Sequence, residues 1–290
     1  MERTLYENLT LDQERALYGA RGALVRRCRF AGPADGESAL KECRDVVVED
    51  CDFLLRYPFW HAQDTRIAHS RMTETCRAAL WYDRDIRLED CQLGGIKAVR
   101  ECDNVTLEDC RIVSPEFGWF CRGLSLSRCT LTAEYPFLQT KDLTIDHLEM
   151  TGKYSFQYVE NGVIRDSHLD TKDAFWHTKN FTVYDSVVKG EYLGWYSENL
   201  KLVRCKIIGT QPLCYCKGLR LIDCKMEGAD LAFEKSDVHA TILTPVISIK
   251  NPYSGHIEVP AVGDIIRDDE RARCEITCLE ATKQRDVCCA

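Results

Sequence analysis

The tripeptide Phe-Trp-His occurs twice in this chain of 290 residues, at 59–61 and at 175–177. A related pair, Trp195 and Tyr196, follows the second copy one interval of nineteen residues later. An indole can pack against a sugar or another ring-bearing ligand, and imidazole, phenol and carboxylate groups beside it can supply hydrogen bonds or an acid and a base. These residue types suggest a surface for a hydroxyl-rich ligand.

The second copy defines a candidate binding site because its surroundings repeat at a fixed interval. Two tryptophans, an aspartate with a tyrosine, and a histidine with a tyrosine each stand nineteen residues apart. The predicted ligand-binding residues are Asp173, Trp176, His177, Tyr192, Trp195 and Tyr196. If consecutive turns stack at one strand spacing, the two indoles lie aligned roughly 5 Å apart. The sequence assigns no catalytic residue.

Two interpretations of the tryptophans stay open at this point. All five share one register, two residues before a column of small residues: Trp60, Trp81, Trp119, Trp176 and Trp195. The column before them is apolar and is predicted to lie inside, whereas the column after them is polar or aromatic and is predicted to lie outside. The indoles either wedge the turns together or form a strip that faces a ligand.

The interval of nineteen belongs to a repeat that must position these side chains. The segment 88–93 reads LEDCQL and the segment 107–112 reads LEDCRI. The positions equivalent to its cysteine are Cys28, Cys51, Ser70, Cys91, Cys110, Cys129, Leu148, Ser167, Ser186, Cys205 and Cys224. Every interval from Cys91 onward is nineteen, and the three before it are 23, 19 and 21. Such self-similarity indicates a solenoid.

Six residues before each of these positions the chain has a residue that tolerates a left-handed backbone. This column is Gly22, Asp45, Asp64, Asp85, Asn104, Gly123, Asp142, Asn161, Asn180, Asn199 and Gly218, with Asp237 one repeat further on. A period-2 apolar alternation follows each corner and predicts a strand with one buried face. The fold predicted is all-β: a right-handed parallel β-helix of about twelve coils, mostly of nineteen residues.

A leucine-rich repeat is the rival interpretation, because it shares the L-x-L-x-x-C-x-L pattern. Its repeats run to about 20–29 residues and need a leucine where this chain has small residues such as Cys102 and Thr178. The β-helix is therefore favoured. One domain is predicted over 1–267, with an N-terminal cap and with capping strands at 243–267, followed by a tail at 268–290.

The seventeen cysteines fall mostly in two columns where they alternate with other small or apolar residues. Stacked neighbours lie about one strand spacing apart, roughly 4.8 Å, which is wider than the Cβ separation that a disulfide prefers. Reduced, buried thiols and a cytoplasmic location are predicted. Four tail cysteines, Cys274, Cys278, Cys288 and Cys289, either bind zinc or belong to a free tail; no metal site and no cofactor are predicted.

A further column, directly before the LEDC cysteine, is charged. Like charges adjoin in it at Asp90 and Asp109 and again at Asp166 and Asp185. Arg128 and Arg204, or a bound cation, could relieve the repulsion. The alternative is a solvated, screened ladder at a turn.

Composition excludes several classes of function. The formal charge is −8 with acids and bases interspersed, so the chain lacks the basic stripe of a nucleic-acid-binding protein. No apolar run is long enough to span a membrane, and none at the N-terminus is typical of a secretory signal. A carbohydrate or other small ligand and a homo-oligomer are the partners that remain.

Three stretches carry a resemblance to a known family: KDAFWHTKNFTVYDS, GEYLGWYSENL and IKNPYSGHIEVPAVGDII. Over most of residues 10–267 the chain resembles an uncharacterised bacterial family with a domain of unknown function. The resemblance implies a single-domain β-helix without a signal and brings no activity. Pectate lyases and polygalacturonases are similar in architecture only, because their motifs are missing as a set and the equal coils leave no loop-walled cleft.

Two functions of different class follow. The first is a non-catalytic binding or assembly module, whose aromatic strip would take a carbohydrate. The alternative is an intracellular carbohydrate-active enzyme (a lyase, hydrolase or isomerase) on a β-helix scaffold. A concave pocket that holds His61 or His177 beside a carboxylate would favour the enzyme, and a flat wall would favour the binding module.

Overall fold

The computed structural model describes residues 3–34 and 36–279. This part of the chain is an all-β parallel solenoid of about 14 turns, with about nineteen residues per turn. Its helical content is the 3₁₀ turn Glu74–Cys76. No helix within it is long and apolar enough to cross a membrane.

The first sheet contributes one strand to each turn, and all its pairings are parallel. Most of its strands alternate buried residues with more exposed ones, as at Val46 and Val48 of Arg44–Glu49. The strands are Thr4–Glu7, Arg21–Arg26, Arg44–Glu49, Gln63–Ala68, Arg84–Glu89, Asp103–Glu108, Arg122–Ser127, Lys141–Asp146, Glu160–Arg165, Lys179–Tyr184, Glu198–Val203, Leu219–Glu227, Asp237–Ile242, Ser254–Val259 and Glu275–Cys278.

The second sheet follows the LEDC turn and is built from short strands. Each of them after the first buries a single apolar residue, such as Leu131 or Ile207. The strands are Thr10–Leu11, Arg29–Phe30, Asp52–Phe53, Arg71–Met72, Gln92–Leu93, Arg111–Val113, Thr130–Thr132, Glu149–Thr151, His168–Asp170, Val187–Lys189 and Lys206–Ile208, and the end of Leu219–Glu227 completes the series.

The third face of the solenoid is mostly turn, and it carries the tryptophans. Near the N-terminal end this face forms the strands Phe59–Trp60, Leu80–Trp81 and Val99–Arg100. Two more strands, Val246–Lys250 and Val262–Ile266, pair with each other near the C-terminal end. Because pairs such as Leu107 with Leu126 in the first sheet lie nineteen residues apart, equivalent side chains stack directly over one another.

The predicted corner column adopts the left-handed backbone. Gly22 and ten of the later members have φ between 50° and 66°, and Asp237 is the exception. The asparagines also form a ladder, in which Asn161, Asn180 and Asn199 each donate Nδ2–H to the side-chain oxygen one turn earlier, at 3.0–3.3 Å. This ladder explains why Asn recurs where Gly alone would satisfy the backbone.

The LEDC column is a ladder of hydrogen bonds as well as a packing column. The Ser186 hydroxyl donates to the carbonyl two residues earlier at 2.6 Å, and the Cys110 thiol does the same at 3.2 Å. Backbone N–H groups of the preceding turn donate into the column, as from Cys51 to Ser70 Oγ at 3.0 Å. Serine and cysteine interchange here because both combine a small volume with a donor and an acceptor. The fifteen described cysteines are free thiols, and all but Cys278 are buried.

The apolar column before the tryptophans is buried as predicted. Its phenylalanines stack along the solenoid axis, with ring centroids 5.0 Å apart between Phe137 and Phe156 and 4.9 Å apart between Phe156 and Phe175. All three side chains are essentially inaccessible. Their packing fixes the depth of the tryptophans, which come one residue later on each turn.

The solenoid has more turns than the twelve or so predicted. Thr4–Glu7 pairs with Arg21–Arg26, Ser254–Val259 pairs with Asp237–Ile242, and Glu275–Cys278 adds a last strand. These segments lack the LEDC pattern, which is why the sequence predicts caps and a tail there.

The domain boundary at 267 stays a prediction, but the described part of 268–290 includes a strand of the first sheet. Cys288 and Cys289, two of the four candidate zinc ligands, lie outside the described residues.

Arginines relieve two of the repulsions predicted in the charged column. The Arg128 guanidinium makes two hydrogen bonds of 2.8 Å to Asp109, and Arg204 makes bonds of 2.7 and 2.6 Å to Asp185. These bonds lower the pKa of both carboxyl groups. Residues of this column also have left-handed backbones, with φ of 53° at Asp109 and 51° at Arg128, which the sequence did not predict.

Candidate functional site

The six predicted site residues come from two consecutive turns and lie together on the third face. Trp176 and Trp195 stack with ring centroids 5.4 Å apart and planes 4° apart, in agreement with the spacing expected from the register. His177 and Tyr196 stack at 5.1 Å and 8°. Tyr192 meets the Trp195 ring edge-on at 5.3 Å. The repeat therefore brings these side chains into one continuous patch.

The two tryptophans are half-buried, between the two orientations left open by the sequence. The Trp176 indole donates its N–H to the Tyr192 carbonyl at 2.6 Å, and the Trp195 indole donates to the Gln211 carbonyl at 2.9 Å. These bonds tie each turn to the next and leave neither N–H free for a ligand. The stacked rings also cover each other's faces, so they present mainly their edges at the surface.

An outer stack of four rings runs beside the tryptophans. Tyr158, His177, Tyr196 and Tyr215 follow one another with centroids 4.8, 5.1 and 4.8 Å apart and planes within 12° of parallel. Tyr158 is 46% and Tyr196 is 45% exposed. We call this stack, together with Trp176 and Trp195, the aromatic wall. Tyr158 and Tyr215 are missing from the predicted site, although both belong to the same nineteen-residue column.

Asp173 lies one turn from Tyr192 and is buried. Burial raises the pKa of its carboxyl group, Lys172 lowers this pKa in part, and Glu191 raises it further. Lys172 forms an ion pair of 3.1 Å with Glu191. Among residues 3–34 and 36–279, no side chain makes a hydrogen bond to the Asp173 carboxylate. Asp173 is thus a buried acid on the same turn as Trp176.

The histidines of the two Phe-Trp-His copies are held by stacking. Within the described residues, His177 makes no hydrogen bond through its ring and lies between Tyr158 and Tyr196. His61 likewise stacks on Tyr82, at 5.2 Å. Two concavities of the surface are lined by residues of 234–271 and 57–100, and neither includes either histidine. This arrangement supplies hydrogen bonds and edge contacts, and it does not assemble an acid–base pair.

At the opposite end of the wall, Tyr215 contacts an acid. Its hydroxyl donates to the Glu234 carboxylate at 3.2 Å, and Glu234 also pairs with Lys250 at 3.3 Å. Burial, followed by the negative charge of Glu234, raises the pKa of Tyr215 to about 12. The phenol therefore stays protonated and serves as a hydrogen-bond donor across the physiological range of pH.

One group of potential metal ligands lies away from the wall, in and beside the charged column. Asp146, His147 and Asp166 place three ligand atoms within 4.8 Å of one another. His147 Nδ1 lies 2.9 Å from the Asp146 carboxylate. The neighbouring arginines are bonded to Asp109 and Asp185, which leaves Asp166 beside the histidine. All three groups are at least partly exposed, and an imidazole between two acids is also a stable surface arrangement without an ion.

The fold and the wall define the class of protein first: this is a parallel β-solenoid with an aromatic surface on one face. Within that class, the chain belongs to the family described as "Protein of unknown function (DUF3737)", whose pattern matches residues 4–279. No relative is found among the curated proteins.

Several solved structures resemble the chain at low identity. PfbA, a surface adhesin of Streptococcus pneumoniae, is 11% identical over 90% of this chain and 69% of its own, with a TM-score of 0.28. The periplasmic alginate epimerase AlgG is 8% identical over 89% of this chain and 78% of its own, with a TM-score of 0.28. The catalytic domain of a GH87 α-1,3-glucanase is 8% identical over 96% and 62%, with a TM-score of 0.24.

Proposed function

We propose that this protein is a non-catalytic binding module and that its ligand lies along the aromatic wall. The observation that carries the proposal is the outer stack of four rings, which repeats at about one strand spacing and has no member in the lining of either concavity. Exposed aromatic surface is unfavourable in water unless a partner covers it. A surface that repeats along an axis suits an extended ligand that also repeats.

The geometry favours an extended carbohydrate that binds edge-on. Ring faces inside the stack are covered by neighbouring rings, so a ligand meets the outer edges, the phenol hydroxyls and the imidazole of His177. These groups donate and accept hydrogen bonds at regular intervals, as a hydroxyl-rich chain requires. Each contact is weak, so affinity should increase with the number of sugar units that the wall engages.

An intracellular carbohydrate-active enzyme remains the second candidate, and Asp173 is the residue that supports it. A buried carboxyl group with a raised pKa can act as a general acid. It has no hydrogen-bonded partner of complementary role among the described residues, and the histidine of the same turn stacks between two tyrosines. We favour the binding module for this reason.

A glycan array probed with the intact protein, followed by titration of any retained glycan and its shorter oligomers, tests the proposal. We expect Tyr196→Phe and His177→Ala to weaken binding by roughly two- to tenfold, because each removes about one hydrogen bond. Tyr184→Phe is the matched control, because it alters the same turn on the first sheet. All three variants should melt close to the parent protein.

Two results would overturn the proposal. The first is that the parent protein retains no glycan, and the second is that Tyr196→Phe and His177→Ala bind the retained glycan as tightly as the parent protein does.

Trp195→Ala is unsuitable as the primary test. It removes a half-buried ring and its bond to the Gln211 carbonyl, so it should lower stability whatever the ligand. Release of a modified sugar by the parent protein, abolished in Asp173→Asn, would instead support the enzyme.

We also propose that the protein functions in a reducing compartment such as the cytoplasm. Support comes from the fifteen described free thiols, many of which donate hydrogen bonds to backbone carbonyls within the stack. Oxidation of one such thiol would remove a donor from the ladder and add volume to a packed interior.

A further inference from the structure

The regular stack is interrupted near the first tryptophan pair, and the interruption creates a concavity. The repeat from Ser70 to Cys91 takes 21 residues and contains the 3₁₀ turn Glu74–Cys76. Gly95 on the next turn approaches closely, since a Cβ there would lie 2.6 Å from the Arg77 carbonyl oxygen. The resulting space has a volume of about 260 Å³ and is lined by Tyr57, Arg77, Ala78, Trp81, Ile96, Lys97 and Arg100.

The two indoles at this interruption lack the hydrogen bonds that the other tryptophans make. Trp119, Trp176 and Trp195 each donate to a carbonyl sixteen residues further along the chain. Within the described residues, the buried N–H groups of Trp60 and Trp81 have no acceptor in hydrogen-bond geometry. The Trp81 indole lies close enough to Glu101 to help lower the pKa of that carboxyl group, but this contact does not complete a hydrogen bond. The carbonyl sixteen residues after Trp60 is that of Cys76, and it accepts the backbone N–H of Tyr57 instead. Buried donors are rarely left unpaired in proteins.

The lining of the concavity is cationic as well as apolar. Lys97 pairs with Glu116 at 3.2 Å and Arg100 pairs with Glu101 at 2.6 Å, which leaves the positive charge of Arg77 without an ion pair among residues 3–34 and 36–279. Ile96 is 49% exposed, although the register of the solenoid buries most side chains of its size. The Tyr57 ring packs against Trp81 at a tilt of 49°, with ring centroids 5.8 Å apart.

We propose that this concavity is a second binding site, separate from the aromatic wall, for a small organic carboxylate with a flat apolar body. The carboxylate meets Arg77 and Arg100, the body covers Ile96 and the Trp81 ring, and a carboxylate oxygen is the acceptor that the Trp81 N–H lacks. Arg100, whose guanidinium carbon lies 6.0 Å from the centroid of the Trp81 ring, moves toward the ligand and uncovers the indole. Guanidinium groups and a carboxylate are complementary in charge and geometry.

Tryptophan fluorescence of the intact protein, titrated with benzoate, phenylacetate and indole-3-acetate, tests this site. The neutral amides of the same acids and inorganic phosphate are the matched probes. We expect at least one carboxylate to change the fluorescence and to bind tenfold or more tightly than its amide, with phosphate weaker still. Arg77→Gln should reduce carboxylate affinity at least fivefold, because it removes the positive charge that the ligand carboxylate meets. The fold should be unaffected, since Arg77 is exposed and its loss disturbs no ion pair.

Trp81→Phe and Trp176→Phe separate the role of the unpaired indole N–H of Trp81 from the general packing of a tryptophan ring. Without ligand, Trp81→Phe should lower the melting temperature less than Trp176→Phe, since only the second loses a hydrogen bond. The rise in melting temperature caused by the carboxylate should disappear in Trp81→Phe and persist in Trp176→Phe. Lys172→Gln, beside the second tryptophan pair, is the charge control. The proposal is overturned if no carboxylate binds, if acids and amides bind equally, or if Arg77→Gln binds like the parent protein.

Discussion

Asp83 brings a carboxyl group into the core at a position where other turns place small side chains, such as Cys102 and Thr178. Its Oδ1 accepts the backbone N–H of Ala62 at 2.7 Å, and its Oδ2 is buried without a partner. Burial raises the pKa of Asp83 well above its usual value. If the Asp83 carboxyl group were ionised, its negative charge would raise the pKa values of the nearby thiols of Cys43 and Cys102. Burial therefore favours the protonated, neutral form of the Asp83 carboxyl group in the folded protein.

This carboxyl group should make stability fall as pH rises. In the unfolded chain an aspartate ionises near a pKa of about 3.9. The contribution of Asp83 to the stability of the folded protein is therefore fully present below that pH, and it is lost as the pH rises toward the higher pKa of the folded state. We expect Asp83→Asn to match the melting temperature of the parent protein near pH 4 and to exceed it at pH 8. Each unit by which folding raises the pKa corresponds to about 1.4 kcal/mol.

The control for this prediction is Asp85→Asn, which changes an exposed residue of the left-handed column two positions away. Asparagine occupies that column in other turns, so its melting curve should follow that of the parent protein at every pH. Thermal melting between pH 4 and pH 8 measures all three proteins. Parallel pH profiles for Asp83→Asn and the parent protein would show that the buried carboxyl group has no such effect.

At the same scale, the sequence predicts which residues of the candidate site meet but not how they bond. The interval of nineteen was enough to place Trp176 over Trp195 and His177 over Tyr196. It could not show that Trp176 donates to a carbonyl while Trp81 does not, because this depends on the shape of one turn sixteen residues away. The burial of Asp173 was also unpredictable, since its neighbours in the column are tyrosines whose depth the pattern leaves undefined.

Within the first sheet, strand packing includes one pair of residues that compensate for each other. Gly162 occupies an inward position of Glu160–Arg165, and Phe181 occupies the equivalent position of Lys179–Tyr184 one turn later. The Phe181 ring fills the space above Gly162, so a Cβ added to the glycine would overlap the ring. Other turns place a medium-sized residue at this position: Val105, Leu124, Leu143 and Leu200.

We therefore expect Gly162→Leu and Phe181→Leu each to destabilise the protein, the first through overlap and the second through a cavity, by roughly 1–3 kcal/mol. The double variant restores the residues of the other turns and should lose less than the sum, with a coupling of about 1 kcal/mol or more. Urea denaturation of the four proteins measures the cycle. A strictly additive double variant would contradict the pairing. Val105→Leu combined with Phe181→Leu, four turns apart, is the control that should add.

Elements in the middle of the chain are predictable because three separate signals coincide in each turn: a left-handed corner, a period-2 strand and a small residue after the charged one. The end turns were missed because they keep only part of this pattern. Leu9 and Leu11 stand nineteen residues before Cys28 and Phe30, and Thr10–Leu11 does pair with Arg29–Phe30. Arg3, which stands six residues before Leu9 where the corner column has Gly, Asn or Asp, concealed this first turn. At the other end, His256 and Glu275 keep the interval of nineteen without any LEDC residue.

For the molecule as a whole, the thiols provide a global measure of folding. Fourteen of the fifteen described cysteines are buried, and burial raises the pKa of several of them, including Cys43, Cys51 and Cys76, to about 12. Thiolates react with disulfide reagents and thiols do not. We expect nearly all seventeen cysteines to react in denaturant without reductant, and only a few, including the partly exposed Cys278, to react in the native protein.

Thiol titration with a chromogenic disulfide, in native buffer and in guanidinium chloride, gives both counts. A denatured count lower by four or more would indicate disulfides and would contradict the proposal of a reducing compartment. A native count close to the denatured one would show that the turns open readily. Samples reduced before denaturation control for oxidation during handling.

The equal length of the turns between Asp85 and Asp237 affects how such a chain can change by duplication. A tandem copy of nineteen residues inserted there would add one complete turn and shift everything after it by about 4.8 Å along the axis. Every column would keep its orientation, and the outer ring stack would gain one ring where the copied segment carries it. A longer turn keeps the columns aligned only if the extra residues are taken up within it, as in the 21 residues from Trp60 to Trp81, whose rings still stack 5.3 Å apart. The length of the aromatic wall can therefore vary in whole steps while its chemistry stays the same.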